Sequence, residues 1–261
     1  MDLDMGAATH VGRVRKLNED AFLAAGSLAL VADGMGGHAR GDVASDLVVQ
    51  QFRDLTQQRQ IEPSEIRQSL AEANQAILAD TERDPSRLGM GTTVCGLALV
   101  PYNGIPHWLA FNIGDSRLYR LNGPVPMQLT IDHSEVAELI TAGQISEQEA
   151  LDHPLRHVIT RSLGTMPPPD ADVWIFPPRA GDVFLICSDG LTNELDANTI
   201  AELASQAKSC SEAAAALVTA AVETGGHDNI TAVVVSVADD NEFPTMAHEA
   251  TTPRKQVWKQ L

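Results

Sequence analysis

Four acidic clusters stand at the ends of apolar segments: Asn18-Glu19-Asp20, Asp33-Gly34-Met35-Gly36-Gly37-His38, Ser188-Asp189-Gly190 and His227-Asp228-Asn229. An aspartate followed by glycine or asparagine at a strand end points its carboxylate out of the sheet. The small neighbour leaves room for backbone carbonyls and water. Several carboxylates converging on one point repel one another unless a cation lies between them. Oxygen donors without paired cysteines suit Mg²⁺ or Mn²⁺. The chemistry such a centre offers is reaction at a phosphate.

The rest of the composition narrows the field. The chain has 261 residues, 44% of them hydrophobic, which fits one large domain or two small ones. It carries 18 basic and 35 acidic residues, a formal charge of −17, which argues against a nucleic-acid partner. No apolar stretch approaches the roughly 18 residues needed to span a bilayer, and the acidic start lacks the apolar core of a secretory signal. Cys95, Cys187 and Cys210 are odd in number and far apart, as expected of reduced thiols in a cytoplasmic protein. Arg40-Gly41-Asp42 and Asn229-Ile230-Thr231 are chance matches to an adhesion tripeptide and a glycosylation sequon. Cys187 does not belong to a cysteine-phosphatase loop, because Asn193 stands where that loop needs arginine.

The elements that must position the acids can be read from periodicity. Ala21 to Ala24 and Leu28 to Ala32 read as strands, and Arg40-Gly41-Asp42 opens a helix whose Ala44, Leu47, Val48, Phe52 and Leu55 share one face. A second helix follows Pro63. Thr92 to Val100 and Trp108 to Ile113 read as buried strands. Gly114-Asp115-Ser116 reads as the tip of a hairpin that returns through Arg117 to Leu121. Asp132 to about Thr165 has short helical pieces, including a Ser146/Glu149 capping box, and reads as an inserted flap. Val173 to Phe176, Val183 to Cys187 and Thr231 to Val237 are strands, the last apolar on both faces, and helices begin near Ala197 and Ser211. Residues 1–238 then form one domain, and 239–261 read as a mobile tail. Two helices, then strands, then two more helices predicts stacked sheets covered by helices on the outside.

Taken in order, Arg15-Lys16-Leu17-Asn18-Glu19-Asp20, Asp33-Gly34-Met35-Gly36-Gly37-His38, Gly91-Thr92-Thr93, Gly114-Asp115-Ser116-Arg117, Thr160-Arg161-Ser162-Leu163-Gly164, Ser188-Asp189-Gly190 and Asp228-Asn229 resemble the bacterial branch of the PP2C (PPM) metal-dependent Ser/Thr protein phosphatases. The resemblance runs from about Gly12 to Val237. It implies an α+β fold, a four-layer α-β-β-α sandwich of two mostly antiparallel sheets. It also implies roles at the matching positions. Asp33 would bridge two Mg²⁺ or Mn²⁺ ions, and Gly34 would offer a carbonyl to one of them. Asp189 and Asp228 would complete the other. Glu19 and Asp20 would hold water on the ions, Asp115 would join Asp189 at a third, weaker ion, and Arg15 would bind phosphate.

Paired dications lower the pKa of a shared water, so the expected reaction is direct attack of a metal-bridging hydroxide on phosphoserine or phosphothreonine. No nucleophilic side chain is needed. Arg15 is preferred over Arg13 and Lys16 because it lies four residues before Glu19. His38 is a candidate acid for the departing oxygen, with a structural role as the alternative. Arg117 and Arg161 are expected to pair with carboxylates, and His133, His153 and His157 to be surface or packing residues of the flap. The implied partners are phosphorylated proteins, including a Ser/Thr kinase of the same cell or that kinase's substrates, acted on by a monomer. Two other readings are a phosphoprotein-binding regulator with the same fold and a small-molecule phosphomonoesterase.

Overall fold

A computed structural model of the chain describes residues 3–36, 40–123, 125–237, the backbone of 254–256, and 258. Its strands form two antiparallel sheets. The first joins β1 (Leu3–His10), β11 (Ile230–Val237), β10 (Val183–Cys187), β7 (Arg117–Arg120) and β8 (Met127–Gln128), in that order. The second joins β12 (Arg254–Gln256), β9 (Asp172–Phe176), β6 (Ile105–Ile113), β5 (Val94–Tyr102), β3 (Leu28–Met35) and β2 (Asp20–Ala25), with β4 (Gly91–Thr92) beside the end of β3.

Alternation along the strands makes three apolar interfaces. Ala29, Val31, Cys95, Leu97, Trp108, Ala110 and Trp174 of the second sheet meet Leu118, Phe184, Ile186, Val233 and Val235 of the first. The residues between them face outward. Leu28, Leu30, Phe111 and Val173 pack on α1 (Gly41–Arg53) and α2 (Pro63–Arg83) through Val48, Phe52, Ile66 and Ile77. Leu185, Cys187, Ala232 and Val234 pack on α6 (Ala197–Gln206) and α7 (Cys210–Thr224). The result is the α-β-β-α order of layers. β11 is apolar on both faces because it contacts both the opposite sheet and α7.

Local chemistry fits these elements. α2 begins with Pro63 and a Glu62/Glu65 capping box, and α4 (Glu147–Ala150) with the Ser146/Glu149 box, while Ser134 caps α3 (Glu135–Thr141). These last two helices lie in segment 132–165.

One expectation is corrected. The segments on either side of Gly114-Asp115-Ser116 do not form a hairpin: β6 pairs with β5 and β9 in one sheet, and β7 with β10 and β8 in the other. The turn instead carries the chain across the sandwich, with Gly114 at φ 106°. Both strands have apolar surface to bury against other partners, and that outweighs their closeness in sequence. The amino-terminal residues have a periodicity too weak to mark them as a strand. They form β1 against β11, from Leu3 opposite Val237 to His10 opposite Ile230. In the segment read as a tail, Arg254–Gln256 pairs with β9, and Trp258 Nε1 donates to the Ala171 carbonyl at 3.2 Å. The remainder of that segment lies outside the described residues.

Candidate functional site

The acids meet at one rim of the sandwich, where strand ends from both sheets converge. Asp20 and Asp33 lie opposite each other on β2 and β3. Ser188 follows β10 and Asp189 opens the short helix α5 (Asp189–Thr192). Asp228 and Asn229 lead into β11. Asp115 sits on the crossing between the sheets. A direct link closes the rim: Ser188 Oγ donates to Asp20 Oδ2 at 2.8 Å and accepts the Thr231 N–H at 3.0 Å.

The backbone around Asp33 is held tightly. Its N–H donates to Thr93 Oγ1 at 3.0 Å, and its carbonyl accepts from Thr92 Oγ1 and the Thr93 N–H, both at 2.9 Å. Thr93 Oγ1 also lies 2.8 Å from Ser116 Oγ, which ties the crossing turn to β3. The next residue must be glycine, because a Cβ on Gly34 would clash with the Gly41 and Glu19 carbonyls. That close approach lets the Gly34 N–H donate to the Glu19 carbonyl at 3.0 Å. Glu19 Oε1 in turn accepts the Gly41 N–H at the start of α1, at 2.9 Å.

Asn229 organises the other side. Its Oδ1 accepts the Glu19 N–H at 2.8 Å, and its Nδ2 donates to the Val11 and Leu17 carbonyls at 3.0 and 2.9 Å. It therefore fixes the loop that carries Arg15. Arg15 Nη2 donates to Asp228 Oδ2 at 2.7 Å, with the Arg15 side chain 49% exposed. Arg15 is thus the member of the basic run that reaches the acids, while Arg13 and Lys16 are exposed.

The electrostatics are those of crowded like charges. Desolvation, followed by Asp20, Asp189, Asp115 and Asp228, pushes the Asp33 carboxyl well above the usual range. Desolvation pushes Asp20 up to about 7 against the pull of the nearby Thr231 and Ser188 hydroxyls. Asp115 also rises to about 7, through desolvation and then Asp189 and Asp132. Asp189 and Glu19 rise for the same leading reason, burial. At Arg15 burial works to lower the pKa, but the hydrogen bond and charge of Asp228 outweigh it and raise it. Asp20 Oδ1 is buried with no hydrogen-bond partner. That orphaned oxygen, the oxygen-only donor set and the mutual repulsion fit a hard divalent cation. Among the described residues no three His, Cys, Asp or Glu side chains close on one point by themselves. Carboxylate oxygens are the donors Mg²⁺ and Mn²⁺ take, with water completing the shell.

Of the residues singled out in the sequence, Glu19, Asp20, Asp33, Gly34, Asp115, Asp189, Asp228 and Arg15 all lie in or against this rim. His38 falls outside the described residues. Arg117 pairs with Asp132, with Nη2 to Oδ2 at 2.6 Å, and Arg161 Nη1 lies 3.1 Å from Asp172 Oδ1, as expected of structural pairs. His157 is exposed, as expected of a surface residue of the flap. Asn229 and Ser188 appear in the sequence motifs, but their positioning bonds are visible only in three dimensions. Cys187 is buried and its thiol is pushed up to about 12, chiefly by desolvation, so it is not a nucleophile.

Comparison with known proteins gives a consistent picture. The sequence profile described as "Protein phosphatase 2C" matches residues 9–234. The serine/threonine phosphatase stp of Listeria monocytogenes is 36% identical over 239 residues, covering 87% of this chain and 93% of that protein. The crystal structure of the Mycobacterium tuberculosis serine/threonine phosphatase PstP/Ppp aligns with a TM-score of 0.83 at 35% identity, over 90% of this chain and 99% of that one. A structure of the PstP catalytic domain in complex with two manganese ions aligns with a TM-score of 0.81 at 35% identity, over 91% and 99% of the two chains.

Proposed function

The chain belongs to the protein phosphatase 2C family, and on that premise we propose that the acidic rim hydrolyses phosphoserine and phosphothreonine in proteins with Mg²⁺ or Mn²⁺. The observation that carries this reading is the convergence of Asp20 and Asp33 from one sheet with Asp189 and Asp228 from the other, closed by the Ser188–Asp20 hydrogen bond. Asp33, the Gly34 carbonyl, Asp189 and Asp228 would hold two ions, Asp115 with Asp189 a third, and Glu19 and Asp20 would act through water. Such ions, when bound, lower the pKa of a coordinated water and offset the charge of a transferring phosphoryl group.

The chain's own residues supply the rest. Arg15 is half-exposed at the edge of the acids and offers a planar fork to a phosphate dianion. Asn229 keeps that arginine in place through Val11 and Leu17. Thr92 and Thr93 fix the main chain under Asp33, so the carboxylate meets its ion without reorganising. Phosphorylated proteins are the substrate class, with a Ser/Thr kinase or its targets as the proposed partners. We place the protein in the cytoplasm as a monomer. Three unpaired, buried thiols support a reducing compartment, and among the described residues no helix is long and apolar enough to cross a membrane.

Two tests follow. The protein should release p-nitrophenol from its phosphate ester with Mn²⁺, lose this activity in excess chelator, and keep it after treatment with a thiol-directed reagent. No turnover with Mn²⁺ across neutral pH would defeat the enzymatic reading. Arg15→Ala should raise the KM for a phosphopeptide about tenfold or more, the scale of a charge-assisted bidentate contact. Mn²⁺ affinity should hold or tighten, since Asp228 loses its competing partner. An unchanged KM would count against a phosphate-binding role for Arg15.

A further inference from the structure

We infer that His133 is a positioning residue: its ring nitrogen holds the turn that presents Asp115, while its backbone fastens both ends of segment 132–165 to that turn. The functional consequence rests on the phosphatase reading above; the geometry does not. His133 is 4% exposed, and it takes both backbone groups of Gly114. The His133 N–H donates to the Gly114 carbonyl at 2.9 Å, and the Gly114 N–H donates to His133 Nδ1 at 3.1 Å. The His133 carbonyl accepts the Thr160 N–H at 2.8 Å, and the next residue, Ser134, bridges to Ile159. The Glu135 N–H reaches the Val158 carbonyl at 2.9 Å. The two ends of the segment are therefore zipped together where they touch the Asp115 turn.

An accepting Nδ1 requires the proton on Nε2. Nε2 faces Asp172 Oδ2 at 3.3 Å, within ion-pair range but without hydrogen-bond alignment. Asp172 opens β9 and is also paired with Arg161, which donates to the Asp170 carbonyl as well. The ring thus stands between the crossing turn and the start of β9 in the second sheet. The turn needs such support. Gly114 has φ 106°, and the carboxyl it presents is repelled by Asp189 and Asp132. Asn112 Nδ2 supports the same turn from below, donating to the Gly114 and Ile131 carbonyls at 3.0 and 3.2 Å. It leaves the Gly114 N–H to His133. Losing the ring acceptor would leave that buried donor unpaired and free the turn to relax away from the other acids.

The test uses the full-length chain without metal or substrate, so its outcome is separate from that of the phosphatase reading, which phosphopeptide turnover by the wild-type protein decides. An asparagine carbonyl reaches about where Nδ1 lies, whereas glutamine reaches further, toward the position of Nε2. Amide exchange at Gly114 is expected to stay slow in His133→Asn and to accelerate roughly tenfold in His133→Gln, the scale of one lost hydrogen bond. Equal exchange in the two variants, whether slow or fast, overturns the proposal. A second readout needs no substitution: ¹⁵N spectra of the wild-type ring should show an unprotonated Nδ1 and a protonated Nε2. A protonated Nδ1 would refute the assignment outright. In a Mn²⁺ titration, the weakest site should lose about tenfold in affinity in His133→Gln relative to His133→Asn, matching the exchange result.

Discussion

Asp33→Asn is expected to abolish turnover while making the metal-free protein more stable. The two effects have one cause. Ionisation of Asp33 is opposed by its surroundings, first by desolvation and then by Asp20, Asp189, Asp115 and Asp228. A residue retained at that cost serves a bound cation rather than the fold. Asparagine keeps the shape of the side chain and leaves the Thr92 and Thr93 bonds to the backbone undisturbed. It removes the charge an ion needs. Turnover with saturating Mn²⁺ should fall by about a thousandfold or more, the scale at which a preorganised charge stabilises a transition state. In chelator at mildly alkaline pH the denaturant midpoint should rise, because a buried repulsion has gone. A near-native rate, or a lower midpoint in chelator, would contradict the role given to Asp33.

The second large effect is a pH dependence of stability that metal offsets. In chelator, stability should fall as the pH rises from about 4 to about 8. Asp20 and Asp115 ordinarily titrate near 3.8, but in the folded chain their pKa values are about 7. Below the lower value both states are protonated and these groups have no pH-dependent effect. Between the two values the unfolded chain releases protons that the native chain retains, so the native state binds more protons and loses ground with each step in pH. The loss is complete once the pH has passed through the folded values. Glu19, Asp33 and Asp189 shift in the same direction. Together the loss should reach several kcal/mol by the linkage between proton binding and folding. Saturating Mn²⁺ near neutral pH should restore it and raise the melting temperature. At acid pH, where protons compete for the same oxygens, the rise should be small. Thermal melts with and without Mn²⁺ at both pH values check this, and an Asp20→Asn/Asp115→Asn variant should flatten the metal-free slope. An equal metal-induced rise at both pH values would contradict the assignment.

Much of this arrangement was legible in the chain, for identifiable reasons. Asp33, Asp189 and Asp228 each lie beside an apolar strand and before a small residue or asparagine, so their place at strand ends follows from local pattern. The strand Ile230–Val237 is apolar on both faces, and that composition belongs only to the middle of a covered sheet. Other features depend on partners far away in sequence. The Gly114 turn carries the same local signals whether it closes a hairpin or crosses between sheets. Which one forms is decided by the competing partners β5, β9 and β10. Leu3–His10 mixes glycine, alanine, threonine and one aspartate with half-buried side chains, and only β11 makes it a strand. His133 sits in a polar stretch with no periodicity, and its burial comes from packing between the Gly114 turn and β9. The hydrogen bonds of Asn229 span more than two hundred residues, so no local pattern could reveal them.

The most direct test is an anomalous difference map from crystals of the wild-type protein soaked in Mn²⁺. Two strong peaks are expected within ligand distance of Asp33, with Asp189 and Asp228 around them and Arg15 turned away from Asp228, and a weaker peak beside Asp115. A map with those aspartates well ordered, the Arg15–Asp228 pair intact and no peak at the rim would show that this cluster of acids does not hold the ions the chemistry requires.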